Sequence, residues 1–237
     1  MINYAHRGAS EYAPENTLSS FYLGLIQGAN GIETDVQCTK DGVLVLFHDD
    51  TLERVTNGSG RVCDYTLAQL KELKVSSGNT NGFYDRIVTF REFLEKLSCY
   101  NISFAIELKR ADLEEDVIAL MKEFDIMHKS TITSFNFDYL KNVKQLQPDM
   151  RIGWLVCDVD DETIARIQEI GGEELAPKAE SITAEIVAKL RSLNIGIRAW
   201  GIANDKGLMK KMCELNIDGM TINYPDRLFE YINCVQL

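Results

Sequence analysis

Hydrophobic and polar positions along this chain switch repeatedly between a strand-like and a helical period. Residues 2–6 form a short β-rich run, and within 17–27 Leu18, Phe21, Tyr22 and Leu25 recur at helical spacing, with Asn16 or Thr17 able to cap the start. A strand is predicted at 31–37. The turn Lys40-Asp41-Gly42 then leads into Val43-Leu44-Val45-Leu46-Phe47, an apolar run too short for a buried helix and read as a buried, returning strand that ends on His48-Asp49-Asp50. A Gly/Asn/Ser-rich stretch at 49–85 holds one short helix, at 66–73.

Beyond it the alternation resumes. A helix at 89–97 precedes a strand at 102–107, and Leu113, Val117, Leu120, Met121 and Phe124 mark an amphipathic helix before a strand at 131–134. Helices at 137–146, 162–170, 183–193 and 205–215 then alternate with strands at 151–156, 175–177 (weakly marked), 195–200 and 219–222. Eight main strands, each followed by a helix or a helix-bearing connection, in 237 residues approach the roughly 250 typical of a closed barrel. The expected fold is therefore α/β, a closed eight-stranded parallel β/α (TIM) barrel. It is read as one domain over 1–237, with 49–85 a small insertion after the second strand. An open doubly wound sheet is the competitor, but no Gly-rich dinucleotide loop joins the first strand to the first helix.

Composition narrows the class. With 45% hydrophobic and 26% charged residues the chain is globular rather than disordered or fibrous. No apolar run reaches the roughly 18–20 residues of a bilayer span, and Met1-Ile2-Asn3-Tyr4 brings no basic leader, so neither membrane insertion nor secretion is expected. The 25 basic against 36 acidic residues leave a charge of −11 with no basic block, which argues against nucleic acid as a partner. Cys38, Cys63, Cys99, Cys157, Cys213 and Cys234 are widely spaced and form no Cys-x-x-Cys pair, and are read as reduced structural thiols of a cytoplasmic protein.

A barrel of this kind carries its active site at the carboxyl ends of the strands. There the sequence places His6-Arg7-Gly8, Glu33-Thr34-Asp35, His48-Asp49 and Glu107-Leu108-Lys109. Glu33 and Asp35, two apart on a strand, share a face, and with Glu107 on the next strand they would repel one another without a cation among them. A hard divalent ion, Mg²⁺ or Ca²⁺, is the simplest neutraliser, because zinc sites usually recruit His or Cys. His6 and His48 can supply one base and one acid, and Arg7 and Lys109 add fixed positive charge suited to a phosphate. Taken singly, each has a bland reading: a strand-end His is often structural, as His128 is read here, E-x-D and E-x-K pairs are often surface pairs, and Trp200 is by default core packing. Together at the ends of the first three barrel strands they form a pattern that independent surface accidents would not produce.

The run His6-Arg7-Gly8, Pro14-Glu15-Asn16-Thr17, Glu33-Thr34-Asp35-Val36, Thr39-Lys40-Asp41-Gly42 and His48-Asp49-Asp50-Thr51-Leu52-Glu53-Arg54 resembles the glycerophosphodiester phosphodiesterases. The likeness continues through Thr56-Asn57-Gly58-Ser59-Gly60 and Glu107-Leu108-Lys109, then thins to Ser134-Phe135, Trp200 and Asp218-Gly219-Met220-Thr221. The resemblance implies a barrel that hydrolyses small-molecule glycerophosphodiesters to glycerol 3-phosphate and an alcohol with one divalent cation. Carried over by position, Glu33, Asp35 and Glu107 would bind the metal, His6 and His48 would be the acid/base pair, and Arg7, Lys109 and Trp200 would contact substrate. Glu15 and Asn16 match a motif that supports the site at the first loop. The chain departs from the family where W-T-V-N is common, with Trp200-Gly201-Ile202-Ala203, where T-D-x-P-D is common, around Asn223, and at Val88, where a proline is usual. A phosphodiesterase of the same superfamily acting on another head group, or a barrel that binds glycerophosphodiesters without turnover, would share much of this pattern.

Overall fold

The computed structural model describes residues 1–76 and 82–234. Its strands are β1 (Ile2–His6), β2 (Gly31–Cys38), β3 (Leu44–Leu46), β4 (Ser103–Leu108), β5 (Ser130–Ser134), β6 (Ile152–Val156), β7 (Glu174–Pro177), β8 (Gly196–Ala199) and β9 (Gly219–Ile222). The helices are α1 (Leu18–Ile26), α2 (Leu67–Glu72), α3 (Phe90–Leu97), α4 (Glu114–Glu123), α5 (Phe137–Leu146), α6 (Asp161–Glu169), α7 (Ala184–Ser192), α8 (Lys206–Glu214) and α9 (Pro225–Cys234). All strands but β3 run parallel in the order β1-β9-β8-β7-β6-β5-β4-β2, and the pairing of β1 with β2 closes the barrel. The expected fold is thus the observed one. The returning strand β3 stands outside the barrel, antiparallel to β2, with Val36 opposite Leu46.

Local chemistry accounts for the helix starts. Thr17, Thr66 and Thr89 open α1, α2 and α3 with capping boxes, and Asn136, Asp160, Thr183 and Asp205 accept from the first-turn amides of α5 to α8. The final helix, α9, is an element that the pattern reading did not name. Its signals are Pro225 in the first helical position and the packed Leu228 and Ile232.

Alternation along the strands separates two environments. Ile32, Val36, Ile106, Ile132, Ile152, Ile197 and Met220 belong to the apolar layer shared with the helices. The intervening positions carry Tyr4, His6, Glu33, Asp35, Glu107, Glu174, Arg198 and Thr221, so the lumen of this barrel is unusually polar. A second apolar cluster, Val45, Phe47, Leu52, Val55, Val62, Leu70, Val75 and Ile87, sits under the insertion and ties it to β3; residues 77–81 of that predicted stretch lie outside the described residues. Among the described residues no helix is long and apolar enough to cross a membrane. Cys38, Cys63, Cys99, Cys157 and Cys213 are free thiols, Cys99 and Cys157 exposed; the side chain of Cys234 lies outside the described residues.

Candidate active site

The first loop turns sharply at the mouth of the barrel. Arg7 (φ 56°) and Gly8 (φ 83°) both occupy the left-handed region directly after His6. At Gly8 an added Cβ would lie 2.4 Å from the backbone carbon of Ser20, so α1 can approach only a glycine there. The turn sends the chain out and back, and Asn16 returns (φ 56°) with its backbone N–H donating to Arg7 O at 3.0 Å. The buried Asn16 side chain donates from Nδ2 to Asp35 Oδ2 at 2.9 Å and accepts from Thr34 Oγ1 at 2.8 Å. The motif Pro14-Glu15-Asn16-Thr17 therefore supports the site through its second strand.

Register brings the carboxylates together. Asp35 on β2 lies opposite Glu107 on β4, and Glu33 is one pleat before Asp35 on the same face. Glu33, Asp35 and Glu107 are 3%, 0% and 7% exposed, and each offers a carboxylate oxygen within 4.8 Å of the others. Burial and the charges of Asp35 and Glu107 push Glu33 well above the usual carboxylate range. Burial and Asp35 push Glu107 up to about 7. Burial works against ionised Asp35 too, but Arg7 and Lys109 overcome it and hold this carboxyl below its ordinary value. Arg7 Nε stands 3.2 Å from Asp35 Oδ2, and Lys109 Nζ stands 2.8 Å from Glu107 Oε1 and 3.6 Å from Asp35 Oδ1. Two cations thus leave three clustered carboxylates short of full neutralisation, and Asp35 Oδ1 has no hydrogen-bond donor among the described residues. An all-oxygen, strongly acidic cluster of this kind fits a hard divalent cation.

The histidines flank this cluster. His6 Nδ1 donates to Asn223 Oδ1 at 2.6 Å, which leaves Nε2 as the acceptor, 3.8 Å from Glu33 Oε2. Burial, then the charge of Arg7, pulls the His6 ring down to about 3. His48, two residues beyond β3, donates from Nδ1 to Asp49 Oδ1 at 2.5 Å; burial lowers it despite the opposing charge of Asp35. Asp49 in turn accepts from Arg54 Nε at 2.5 Å, Arg54 Nη1 donates to Glu15 Oε2 at 2.8 Å, and Arg7 Nη1 donates to Glu15 Oε1 at 3.0 Å. This chain of ion pairs links His48 to Arg7 and Asp35. His128 lies elsewhere, beside Ile2, Ser103 and Lys129 near the amino ends of the strands.

Both histidines, Glu33, Glu107 and Arg7 open onto one cavity of about 340 Å³. Its far wall is Phe135 and Trp200, edge to face with centroids 5.3 Å apart, and the Gly201–Ile202–Ala203 segment. Trp200 is fixed by its Nε1 donating to Ala176 O at 3.0 Å and Val156 O at 3.1 Å. The departures from the family pattern have structural roles: Asn223 orients His6, and Ala203 (φ 48°) lines the wall. Two features escaped the sequence reading. The Asp49–Arg54–Glu15 chain joins residues far apart in sequence, and Arg198, a charged residue at a lumen position of β8, shows only as a break in an apolar strand. Chemically, the cavity offers one imidazole backed by an amide, one backed by a carboxylate, fixed cations and an acidic cluster that could hold a metal ion, a set suited to cleaving a phosphate ester.

A family model described as the glycerophosphoryl diester phosphodiesterase family matches residues 6–227. The chain is 33% identical over 235 residues, 96% of each protein, to a glycerophosphodiester phosphodiesterase of Caldanaerobacter subterraneus subsp. tengcongensis. It is 34% identical over 238 residues, 94% of this chain and 95% of the relative, to one from Bacillus altitudinis. Among solved structures, an Oleispira antarctica phosphodiesterase in complex with the product sn-glycerol-3-phosphate matches with a TM-score of 0.87 and 31% identity, covering 97% of this chain and 96% of that one.

Proposed function

The chain belongs to the glycerophosphoryl diester phosphodiesterase family and is a glycerophosphodiester phosphodiesterase, and on that premise we propose that it releases glycerol 3-phosphate and an alcohol by paired histidine catalysis at a divalent-cation site. The observation that carries this reading is that two separately anchored histidines share one cavity with Glu33 and Glu107, which cluster with the fully buried Asp35 behind them. Glu33, Asp35 and Glu107 would hold one Mg²⁺ or Ca²⁺, which when bound supplies Lewis-acid charge to a phosphoryl oxygen. Asn223 ties up His6 Nδ1, so Nε2 is free to accept the proton of the attacking group, which is water itself or the carbon-2 hydroxyl of the glycerol unit, whose cyclic phosphate a water then opens to glycerol 3-phosphate. The hydrogen bond to Asp49 favours the cationic form of His48 against the burial that lowers it, which suits His48, rather than His6, to protonate the departing alcohol. Arg7 and Lys109, held 14% and 16% exposed against the carboxylates, offset the charge that builds on the phosphate, and Trp200 shapes the wall beside it.

The test is release of glycerol 3-phosphate from glycerophosphocholine by the purified protein, with and without exhaustive chelation. Activity should vanish on chelation and return with Mg²⁺ or Ca²⁺. His6→Ala and His48→Ala should each lower turnover by about 100-fold to 10,000-fold, and His128→Ala should leave it unchanged. Full activity after chelation, or a His128→Ala loss equal to that of His6→Ala, would overturn the assignment.

A further inference from the structure

The closed end of the cavity is built from a residue that the reaction above does not use. Arg198 on β8 is 1% exposed, yet it lines the same cavity as His6, Glu33 and His48. Its guanidinium is fixed on three sides: Nε donates to Glu174 Oε1 at 2.9 Å, Nη1 donates to Thr221 Oγ1 at 2.7 Å, and Cζ lies 5.3 Å from the centre of the Tyr4 ring. Gly153 makes room for this arrangement, since a Cβ there would come within 2.7 Å of Glu174 Oε1. Nη2 has no acceptor among the described residues. A guanidinium is a rigid fork of donors, so with Nε and Nη1 anchored the remaining N–H groups have a set direction.

Depth decides what those groups can meet. Arg198 on β8 is two residues before Trp200, which follows the strand directly and lines the same cavity, and Thr221 on β9 is two residues before Asn223, the anchor of His6. The phosphodiester must sit at the upper level, between the histidines that exchange its protons. One ester arm then points to the mouth and the other to the floor. The alcohol arm varies among glycerophosphodiesters and needs the open end, whereas the glycerol arm is constant and small enough for the closed one. Glu174 already balances the charge of Arg198, which leaves Nη2 as a directional donor suited to a neutral hydroxyl oxygen.

We propose that Arg198 is a specificity-determining residue, its Nη2 donating from the cavity floor to a hydroxyl oxygen of the glycerol unit; this rests on the function proposed above. Arg198→Lys keeps a cation beside Glu174 without the Nη2 donor, and the pair Arg198→Gln with Glu174→Gln removes both charges together. Two comparisons test the proposal in each variant: kcat/KM for glycerophosphocholine against bis(p-nitrophenyl) phosphate, and calorimetric affinity for sn-glycerol 3-phosphate against inorganic phosphate. The glycerol-bearing member of each comparison should lose about 30-fold, while the glycerol-free member stays within about threefold. Equal losses within each comparison, no loss, or a wild type that binds glycerol 3-phosphate no more tightly than inorganic phosphate would each overturn it. A wild type that binds glycerol 3-phosphate but fails to turn over glycerophosphocholine would count against the proposed function, and the affinities would still decide the role of Arg198.

Discussion

At the scale of single residues, the site depends on side chains that hold the reactive groups rather than react. Asn16 is the clearest case: its amide donates to buried Asp35 and its backbone sits at a positive φ that asparagine tolerates better than most residues. Asn16→Ala removes the donor and strains the backbone, and should lower unfolding free energy by about 1–3 kcal/mol in urea titration. Asn16→Gly relieves the strain alone, so a similar loss in both variants assigns the effect to the hydrogen bond; full recovery in the glycine variant would assign it to the backbone. The residues proposed to react stand out in the sequence because they are rare types at strand ends: two of three histidines, an E-x-D pair and an E-x-K pair. Their anchors were not. Nothing in the sequence pairs His6 with Asn223, 217 positions away, because that contact exists only once the last barrel strand closes on the first.

Among elements, the parallel strands and capped helices could be read from period and cap residues, and their boundaries shifted by at most one position. The insertion after β3 could not be read in the same way. Its core joins Leu52, Val55, Val62, Leu70 and Val75 across turns, with no period to betray which residues meet. The insertion reaches the site through Arg54, which bridges Asp49 and Glu15. Arg54 and then the His48 hydrogen bond hold Asp49 at about 2, below its ordinary 3.8. A carboxyl depressed on folding adds stability above its unfolded value, and that contribution is lost as pH falls through the folded value. Arg54→Ala should therefore unfold more easily than wild type at neutral pH. The difference should shrink as pH falls from about 4 to about 2 and close below that, followed by circular dichroism. A difference independent of pH would mean that Arg54 acts by packing its stem rather than by charge.

For the whole molecule, the arrangement that makes the site chemically able also makes it unstable by itself. The chain carries −11 overall, and three of its carboxylates crowd together with at most 7% exposure, where water screens them poorly. Arg7 and Lys109 stabilise Asp35, but Glu33 and Glu107 remain in surroundings that disfavour their charge. A divalent cation that binds the folded barrel and not the unfolded chain would relieve this repulsion and stabilise the fold in proportion to the logarithm of its concentration. At about 100 times its dissociation constant the gain is about 2.7 kcal/mol, which in a chain of this size corresponds to about 5–10 °C in melting temperature. Chelated protein should therefore melt lower than protein with Mg²⁺ or Ca²⁺, and the shift should grow with ion concentration. Glu33→Gln should behave in the opposite sense on both counts: the chelated variant should melt higher than chelated wild type, because a buried carboxyl whose ionisation its surroundings oppose is gone, and added ion should shift it little. If Glu33→Gln keeps the full ion-dependent shift, the stabilising cation binds elsewhere on the acidic surface and the three carboxylates are not its cradle.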